Sequence, residues 1–557
     1  MKVSEAISQA LVAEGVTLAA GISGQSIGHV LDAIAESPQF SLIYVRQERV
    51  AFDICDGFAR ACGRPAVVFT DAGPAAANLM GGLVNSWGDS VPVLFLAGHN
   101  DHGSIASRQT KEIPFLDMFR PVSKWAAVLE TPEQVSSLMR RAFMHLTTGR
   151  PGPVVIGVPY DLSSKQLPNF TYQPVSSRSR IRTGADPSAI EAAVDLLLQA
   201  NNPYVYTGSG ILVSEATDEL VRLAELMTLP VATTINGKSG FPEDHPLALG
   251  IGGFARASYS SLPATKLAEA ADVILTIGCG FKKHATKVRP PSATKHIQID
   301  IDVAELNRDG LADVAICGDA KIVLQQLLEC AARKRGASRG CPDAARLEKI
   351  AALKGQWNDV SAPLLNSQAK PINPFSVTHM LMRLTDPSRT IVLHDAGTVR
   401  GTTTQHYVST RPRGFLGFGV ESAMGWTIGA AMGAKRAQPK DLVVAFVGDE
   451  AFCETALDIE TSVRNDVPVL VIVLNNRGFA DTDGGKSERL AHARFHRGVN
   501  ASKLADTLGA KGFSIEEPAD LEPLLSQAIQ VVENGLTAVV EVRTARVAAS
   551  LHSLWSK

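Results

Sequence analysis

The sequence predicts an α/β protein built from three doubly wound domains with parallel sheets. Three observations carry this reading. Short apolar runs alternate with helical patterns along nearly the whole chain, which is the rhythm of parallel sheets. The chain has 557 residues, and at about 100–200 residues per domain that length suits three. The first and last thirds share the same strand–helix rhythm, a distant internal repeat.

Composition narrows the classes. The chain is 45% hydrophobic and 20% charged with a net charge of −2, which is ordinary for a globular protein and offers no basic surface for nucleic acid. Its 7 cysteines are scattered with no CxxC pair, so a reduced, cytoplasmic protein is expected rather than a disulfide scaffold or zinc site. The opening MKVSEAISQALVAEG reads as an amphipathic helix, not a signal peptide. No apolar run approaches the ~18 residues a membrane helix needs.

The first domain is expected over residues 1–170. A helix at 3–14 leads to a short strand and a glycine turn, Gly21 to Gly24. Further strands are expected at 41–45, 66–70, 91–97 and 154–158. Glu48 follows the strand at 42–45 and opens a helix. A carboxylate there is commonly a plain helix-end device.

The Ser/Arg-rich stretch QPVSSRSRIRTGADPS reads as a linker. The central domain is expected over 185–340, with strands at 204–207, 231–234, 273–277 and 297–301 and a helix at 216–227. Gly208 and Gly210 follow the first of these strands. A glycine pair there either approaches a nucleotide or makes a tight turn. A second polar stretch containing one helix ends this domain.

The last domain is expected over 371–557. A strand at 391–394 ends in Asp395, Ala396, Gly397 and Thr398. The most informative stretch is 442–478, LVVAFVGDEAFCETALDIETSVRNDVPVLVIVLNNRG. An apolar run stops at Gly448 and Asp449. A helical pattern follows, with Ala456, Ile459 and Val463 on one face. A second apolar run, 468–474, stops at Asn475 and Asn476. In a parallel unit both stops fall at the carboxyl edge of the sheet, where open α/β sheets bind ligands. Asp449 offers a carboxylate, Asn476 an amide oxygen and Gly478 a backbone carbonyl. Mg²⁺ takes such hard oxygens and borrows the rest from phosphates and water. The helix after Asp449 turns its N-terminus, which attracts anions, to the same spot.

Gly448 and Asp449, followed by Asn475 and Asn476 with Asn476 27 positions after Asp449, resemble the cofactor signature of the thiamine-diphosphate enzymes of the acetolactate-synthase-like superfamily. That group includes acetolactate synthases, 2-oxo acid decarboxylases, benzaldehyde lyase and 2-hydroxyacyl-CoA lyases. The resemblance covers nearly the whole chain. It implies that Asp449, Asn476 and the Gly478 carbonyl hold Mg²⁺ against the diphosphate, with Gly448, Glu450 and Ala451 alongside. Gly397 and Thr398 would cradle the diphosphate. Met424, in GFGVESAMGWTIGAAMGAKRA, matches the bulky residue that wedges between the cofactor's rings. In the first domain, Gly73, Pro74, Asn78 and Asp89 to Pro92 match landmarks of the pyrimidine-binding domain.

In that register Glu48 is the activating glutamate. A carboxylate bonded to a pyrimidine ring nitrogen favours the imino tautomer, whose exocyclic nitrogen can take the thiazolium proton. Asp71 and Gln109 are expected to face the substrate. Arg108 is either a partner for a substrate carboxylate or CoA phosphate, or a solvated surface arginine. Some relatives hold FAD or ADP in the central domain. Cys279 to His284 does not match the pattern of the FAD-binding synthases, so FAD is not favoured.

Two departures stand out. Glu450 replaces the usual glycine, and a carboxylate near a diphosphate is repelled by roughly 4 kcal/mol at 4 Å and an effective dielectric of 20. The substrate-closing segment FADTDGGKSERLAHARFHRGVN is polar, unlike the apolar lid of an acetolactate synthase. Its His492 and His496 have metal-like spacing but no third ligand, and read as a solvated helix face.

The resemblance therefore implies a Mg²⁺- and thiamine-diphosphate-dependent carboligase or lyase, acting on a 2-oxo acid, acyloin or 2-hydroxyacyl substrate. The alternatives are a non-oxidative 2-oxo acid decarboxylase, an FAD-dependent oxidase, and a non-catalytic cofactor-binding paralogue. It also implies a homo-oligomer, with a dimer as minimal active unit inside a dimer or tetramer.

Overall fold

A computed structural model describes residues 1–105, 107–177, 181–253, 259–281, 293–335, 343–419, 421–478 and 498–547. It contains three six-stranded sheets, and every strand pairing given for them is parallel. Helices cover both faces, so the inner strands are near-continuous apolar runs: Ala66–Thr70, Val154–Pro159 and Leu470–Asn475 are buried at every position.

In space the first sheet runs Ser41–Tyr44, Leu18–Gly21, Ala66–Thr70, Val93–His99, Val154–Pro159, Trp125–Val128. The last sheet runs Phe415–Gly417, Thr390–His394, Leu442–Gly448, Leu470–Asn475, Ala538–Arg543, Lys511–Ile515. Counted along the chain, these two orders are identical. The repeat read from the sequence is thus a repeat of topology.

The central sheet differs. It runs Ala248–Ile251, Val231–Thr233, Pro203–Thr207, Val273–Ile277, Lys295–Asp300, Val314–Cys317. That is third, second, first, fourth, fifth, sixth, the order of dinucleotide-binding sheets.

Doubly wound sheets bind ligands where the chain reverses its direction of winding. In the first sheet the reversal lies between Leu18–Gly21 and Ala66–Thr70, whose carboxyl ends lead to Gly24 and to Asp71 and Gly73. In the last sheet it lies between Thr390–His394 and Leu442–Gly448, which lead to Gly397 and to Asp449. In the central sheet it lies between the strands leading to Gly208 and Gly278.

The first and last domains meet along two helices, Glu48–Cys62 and Trp426–Ala437. Their backbones touch: a Cβ on Gly57 would lie 2.1 Å from the Ala430 carbonyl oxygen, and one on Gly433 only 1.8 Å from that of Ile54. Larger residues at either position would force the domains apart. A buried polar network locks the crossing. Trp426 Nε1 donates to Asp56 at 2.9 Å, and Arg60 pairs with Asp56 at 2.5 Å and Asp89 at 3.0 Å.

Some elements differ from expectation. The helical pattern expected through Val463 is broken into Asp449–Thr455, a 3₁₀ turn at Ala456–Asp458, and Ile459–Arg464. At the break Asp458 accepts the Arg46 N–H at 2.8 Å and the Thr461 hydroxyl at 2.7 Å. The first-domain strand expected from residue 91 begins at Val93, because Pro92 has no N–H to give a ladder. No helix among the described residues is long and apolar enough to cross a membrane.

Candidate active site

The strand Leu442–Gly448 delivers Asp449 to the first position of a short helix. Asp449 Oδ2 accepts the Gly478 N–H at 3.1 Å. Burial pushes its carboxyl up to about 6. The neighbouring strand Leu470–Asn475 ends beside it. Asn475 is spent on structure, donating to Glu541 at 2.7 Å. Asn476 is not: its Oδ1 is buried and has no hydrogen-bond partner among the described residues. A buried amide oxygen left unpaired costs about 1–3 kcal/mol, so it calls for a donor or a cation. The turn that presents it is shaped by Arg477 at φ +60° and Gly478 at φ +149°.

This donor set fits Mg²⁺. One carboxylate, one free amide oxygen and a glycine turn supply hard oxygens, leaving room for phosphate and water. No group of three or more His, Cys, Asp or Glu side chains suited to a metal occurs among the described residues.

Gly397 sits opposite, at φ +75° and just before the helix Thr398–His406. Space beside it is open, so the left-handed backbone, not crowding, calls for glycine. Thr398 is buried, and its hydroxyl is likewise without a partner. The preceding Asp395 is fully buried. It accepts from Ala396 N at 2.7 Å, Gly425 N at 3.2 Å and the Thr427 hydroxyl at 2.8 Å. That carboxylate ties the Gly397 turn to the turn carrying Met424, which is half-buried.

At the first sheet, Glu48 is the first residue of its helix. Asn78 Nδ2 donates to Glu48 Oε2 at 3.2 Å, and no other described residue hydrogen-bonds that carboxylate. Gly73, at φ +67°, backs onto the Lys111 carbonyl, which a Cβ would meet at 2.6 Å.

Asp71 is held more tightly than the sequence suggests. It pairs with Lys111 Nζ at 2.5 Å and accepts from Ser26 N at 3.0 Å and from the Ser26 hydroxyl. Burial would raise its carboxyl, but the bonds from Lys111 and Ser26 outweigh that and hold it below the usual range. Gln109 is exposed, takes Asn100 Nδ2 at 3.1 Å and is braced by Glu112. Arg108 is exposed too, at φ +59°.

Glu450 makes no hydrogen bond or ion pair with another described residue. It borders a cavity of about 190 Å³ with Asp449, Cys453, Asn475 and Val499. Ala451 is buried, and Gly448 has open space beside it. In the central domain Gly208 and Gly278 meet backbone to backbone, where a Cβ on Gly208 would lie 2.1 Å from the Gly278 oxygen. They wall a cavity that also touches Asp300, Arg150 and Arg400. Lys282, Lys283 and His284 fall outside the described residues. So does most of the polar segment after Gly478, including His492 and His496.

The chain thus brings Asp449, Asn476 and Gly478 together, joins Gly397 to Met424 through Asp395, and joins Glu48 to Asn78. Sequence reasoning passed over Asp395 as a side chain, and also Lys111, Arg49 and Glu454. Only Arg49 carried a local signal, its adjacency to Glu48.

Three family descriptions match the chain in order. They are thiamine pyrophosphate enzyme N-terminal TPP binding domain over residues 1–119, central domain over 190–327, and C-terminal TPP binding domain over 395–542. A probable acetolactate synthase large subunit of Methanocaldococcus jannaschii is 32% identical, across 97% of this chain and 92% of the relative. The acetolactate synthase isozyme 3 large subunit of Escherichia coli K12 is 29% identical, across 97% and 94%. An acetolactate synthase large subunit of Parasynechococcus marenigrum is 31% identical, across 85% and 75%.

Proposed function

From the premise that this chain belongs to the thiamine-diphosphate enzymes of the acetolactate-synthase-like kind, we propose a carboligase or lyase that makes or breaks a carbon–carbon bond beside a carbonyl. The substrate class is a 2-oxo acid, acyloin or 2-hydroxyacyl compound. The observation that carries the cofactor assignment is the buried Asn476 Oδ1, unpartnered among the described residues, in the turn whose Gly478 N–H bonds Asp449.

Bound thiamine diphosphate would supply a carbon nucleophile and then an electron sink for the substrate's carbanion. The chain's own residues do the rest. Asp449, Asn476 and the Gly478 carbonyl would hold Mg²⁺. Gly397 and Thr398 would offer the diphosphate a backbone N–H and a hydroxyl. Glu48 keeps Oε2 on Asn78, which leaves Oε1 free to accept from a pyrimidine ring nitrogen. Met424 would pack against the cofactor. Asp71, Lys111 and Gln109 line the approach. An ionised Asp71 cannot give up a proton, so its part is to orient Lys111 and to repel a misplaced anion.

We also propose that the working unit is a cytoplasmic dimer in which Glu48 of one protomer and Asp449 of its partner flank one cofactor. A flavin in the central cavity is not favoured, despite the dinucleotide-type strand order, because Cys279 to His284 lacks the FAD-type pattern. A purified-protein absorbance spectrum without flavin bands would bear this out.

The function is tested by supplying thiamine diphosphate, Mg²⁺ and a panel of 2-oxo acids and 2-hydroxyacyl compounds. Ligated hydroxyketone or cleavage products are expected. Free aldehyde alone would identify a simple decarboxylase. No turnover with bound cofactor would identify a non-catalytic paralogue.

A further inference from the structure

We infer that Arg49 is a positioning residue, which sets the Met424 turn and the Asp449 helix in the geometry the cofactor requires. The inference rests on the cofactor reading above. Arg49 lies next to Glu48 but points to the other domain. One guanidinium nitrogen, Nη2, donates to the Ala423 carbonyl at 3.1 Å and to the Met424 carbonyl. Nη1 donates to Glu454 at 3.1 Å, on the short helix that Asp449 opens. Nε faces Asp53 Oδ2 at 3.6 Å.

The turn 423–425 is gripped from three sides. Asp395 takes the Gly425 N–H. Glu454 packs on the Cα face, where a Cβ on Gly425 would lie 2.8 Å from its Oε2. Arg49 takes the two carbonyls. Asp395 and Glu454 belong to the last domain. Arg49 alone comes from the first, one residue from Glu48. A single planar fork therefore ties the Met424 turn, and through Glu454 the Asp449 helix, to the first domain's helix Glu48–Cys62 of the same chain. A point-charge lysine could keep Glu454 but not both carbonyls as well.

Asp53 lies beneath the fork, 3.6 Å from Nε and not hydrogen-bonded to it. It is fully buried, and neither of its oxygens has a hydrogen-bond partner. Burial pushes its carboxyl well up, and Arg49 is the cation that opposes this. A guanidinium with Asp53 beneath it and carbonyls and Glu454 ahead has little freedom to swing into solvent. A mere inter-domain staple would need none of this aim. The crossing of the two helices is already locked by Trp426, Asp56 and Arg60, so Arg49 is free to serve the turn.

The test is a double-mutant cycle read by calorimetric titration of thiamine diphosphate, with Mg²⁺, into apo protein. Arg49→Met keeps the length and removes the donors. It should weaken cofactor affinity at least tenfold, with the protein still fully folded in the titration buffer even where the midpoint of urea unfolding falls. Arg49→Lys should recover part of the loss. In a Met424→Ala background, Arg49→Met should cost clearly less than it does alone, because the residue it positions is gone. Should Arg49→Met fail to fold, Arg49→Lys and Arg49→Gln carry the same cycle. Unchanged affinity in the Arg49 variants, with wild type binding the cofactor, would overturn the inference. So would equal losses in both backgrounds. A wild-type protein that binds no thiamine diphosphate would instead overturn the cofactor reading beneath it.

Discussion

The ammonium of Lys111 meets the carboxylate of Asp71 at 2.5 Å, at the carboxyl edge of the first sheet. Lys111 is the more exposed partner, with 42% of its side chain open against 14% for Asp71. The pair thus turns its cation outward. If it lines the substrate's path, Asp71→Asn frees Lys111 to greet a substrate carboxylate. KM for a 2-oxo acid should fall a few-fold, and kcat should change less. Lys111→Met should raise KM instead. Steady-state kinetics on both variants checks this, and unchanged KM in both would place the pair outside the path.

Glu450 bears on whether the site can hold a diphosphate. It has no cation partner among the described residues and stands next to Asp449. If its side chain turns away from the phosphates, Glu450→Gly should leave cofactor affinity unchanged or improve it, since any residual repulsion is removed. Asp449→Ala should abolish Mg²⁺-dependent affinity. Calorimetry on the two variants separates the neighbours. A more than tenfold loss in Glu450→Gly would mean that this carboxylate makes a contact of its own.

Acid should destabilise the fold through two histidines. Burial, with Arg400 beside one and Lys238 beside the other, pushes His394 and His406 each down to about 3. Neither Nε2 has a hydrogen-bond partner. Between pH 3 and 6.5 the unfolded chain takes protons that the folded chain refuses, so stability rises with pH across that window and is lost as pH falls. At pH 5 the loss is roughly 2 kcal/mol per histidine. His406 stacks on Trp357 with ring centroids 5.3 Å apart, so His406→Phe keeps the ring and removes the titration. Between pH 7 and pH 5, read by urea unfolding, the variant should lose roughly 2 kcal/mol less stability than wild type, the buried carboxyls contributing equally to both. Identical pH dependence would contradict the role.

The parts of the site that could be read in the sequence are those fixed by local chain geometry. Buried parallel strands are apolar runs, and the residue where such a run stops is the residue at the sheet's carboxyl edge. That is why Asp71, Gly208, Gly397 and Asp449 stand out without coordinates. Two edge strands gave no such signal: Val314–Cys317 and Phe415–Gly417 have only 4 and 3 residues and no apolar run to mark them. The helix break at Ala456–Asp458 was hidden because its cause, the Arg46 N–H, lies 412 positions away. Arg49 and Lys111 were missed for the same reason. Their partners are brought close by tertiary packing, and ion pairs between residues 40 and 405 positions apart leave no spacing to read.

The final prediction concerns how many chains make a site. Glu48 and Asp449 lie in different domains, and in the proposed dimer each site takes Glu48 from one protomer and Asp449 from the other. Glu48→Gln should lower turnover by ~10²–10⁴-fold, the usual scale of acid–base contributions, and Asp449→Ala should remove the cofactor. Neither homodimer then has a good site. A mixed dimer behaves differently. One of its sites collects both lesions and the other collects none, because the two-fold axis exchanges the contributions of the two protomers. Co-expression with different tags and purification of the mixed species should recover roughly half the wild-type activity per dimer if the sites act independently. If both residues served one site within a single chain, every site in the mixed dimer would carry one lesion. Activity would stay near that of the single variants, and the in-chain strut at Arg49 would then join two halves of one site rather than two different sites.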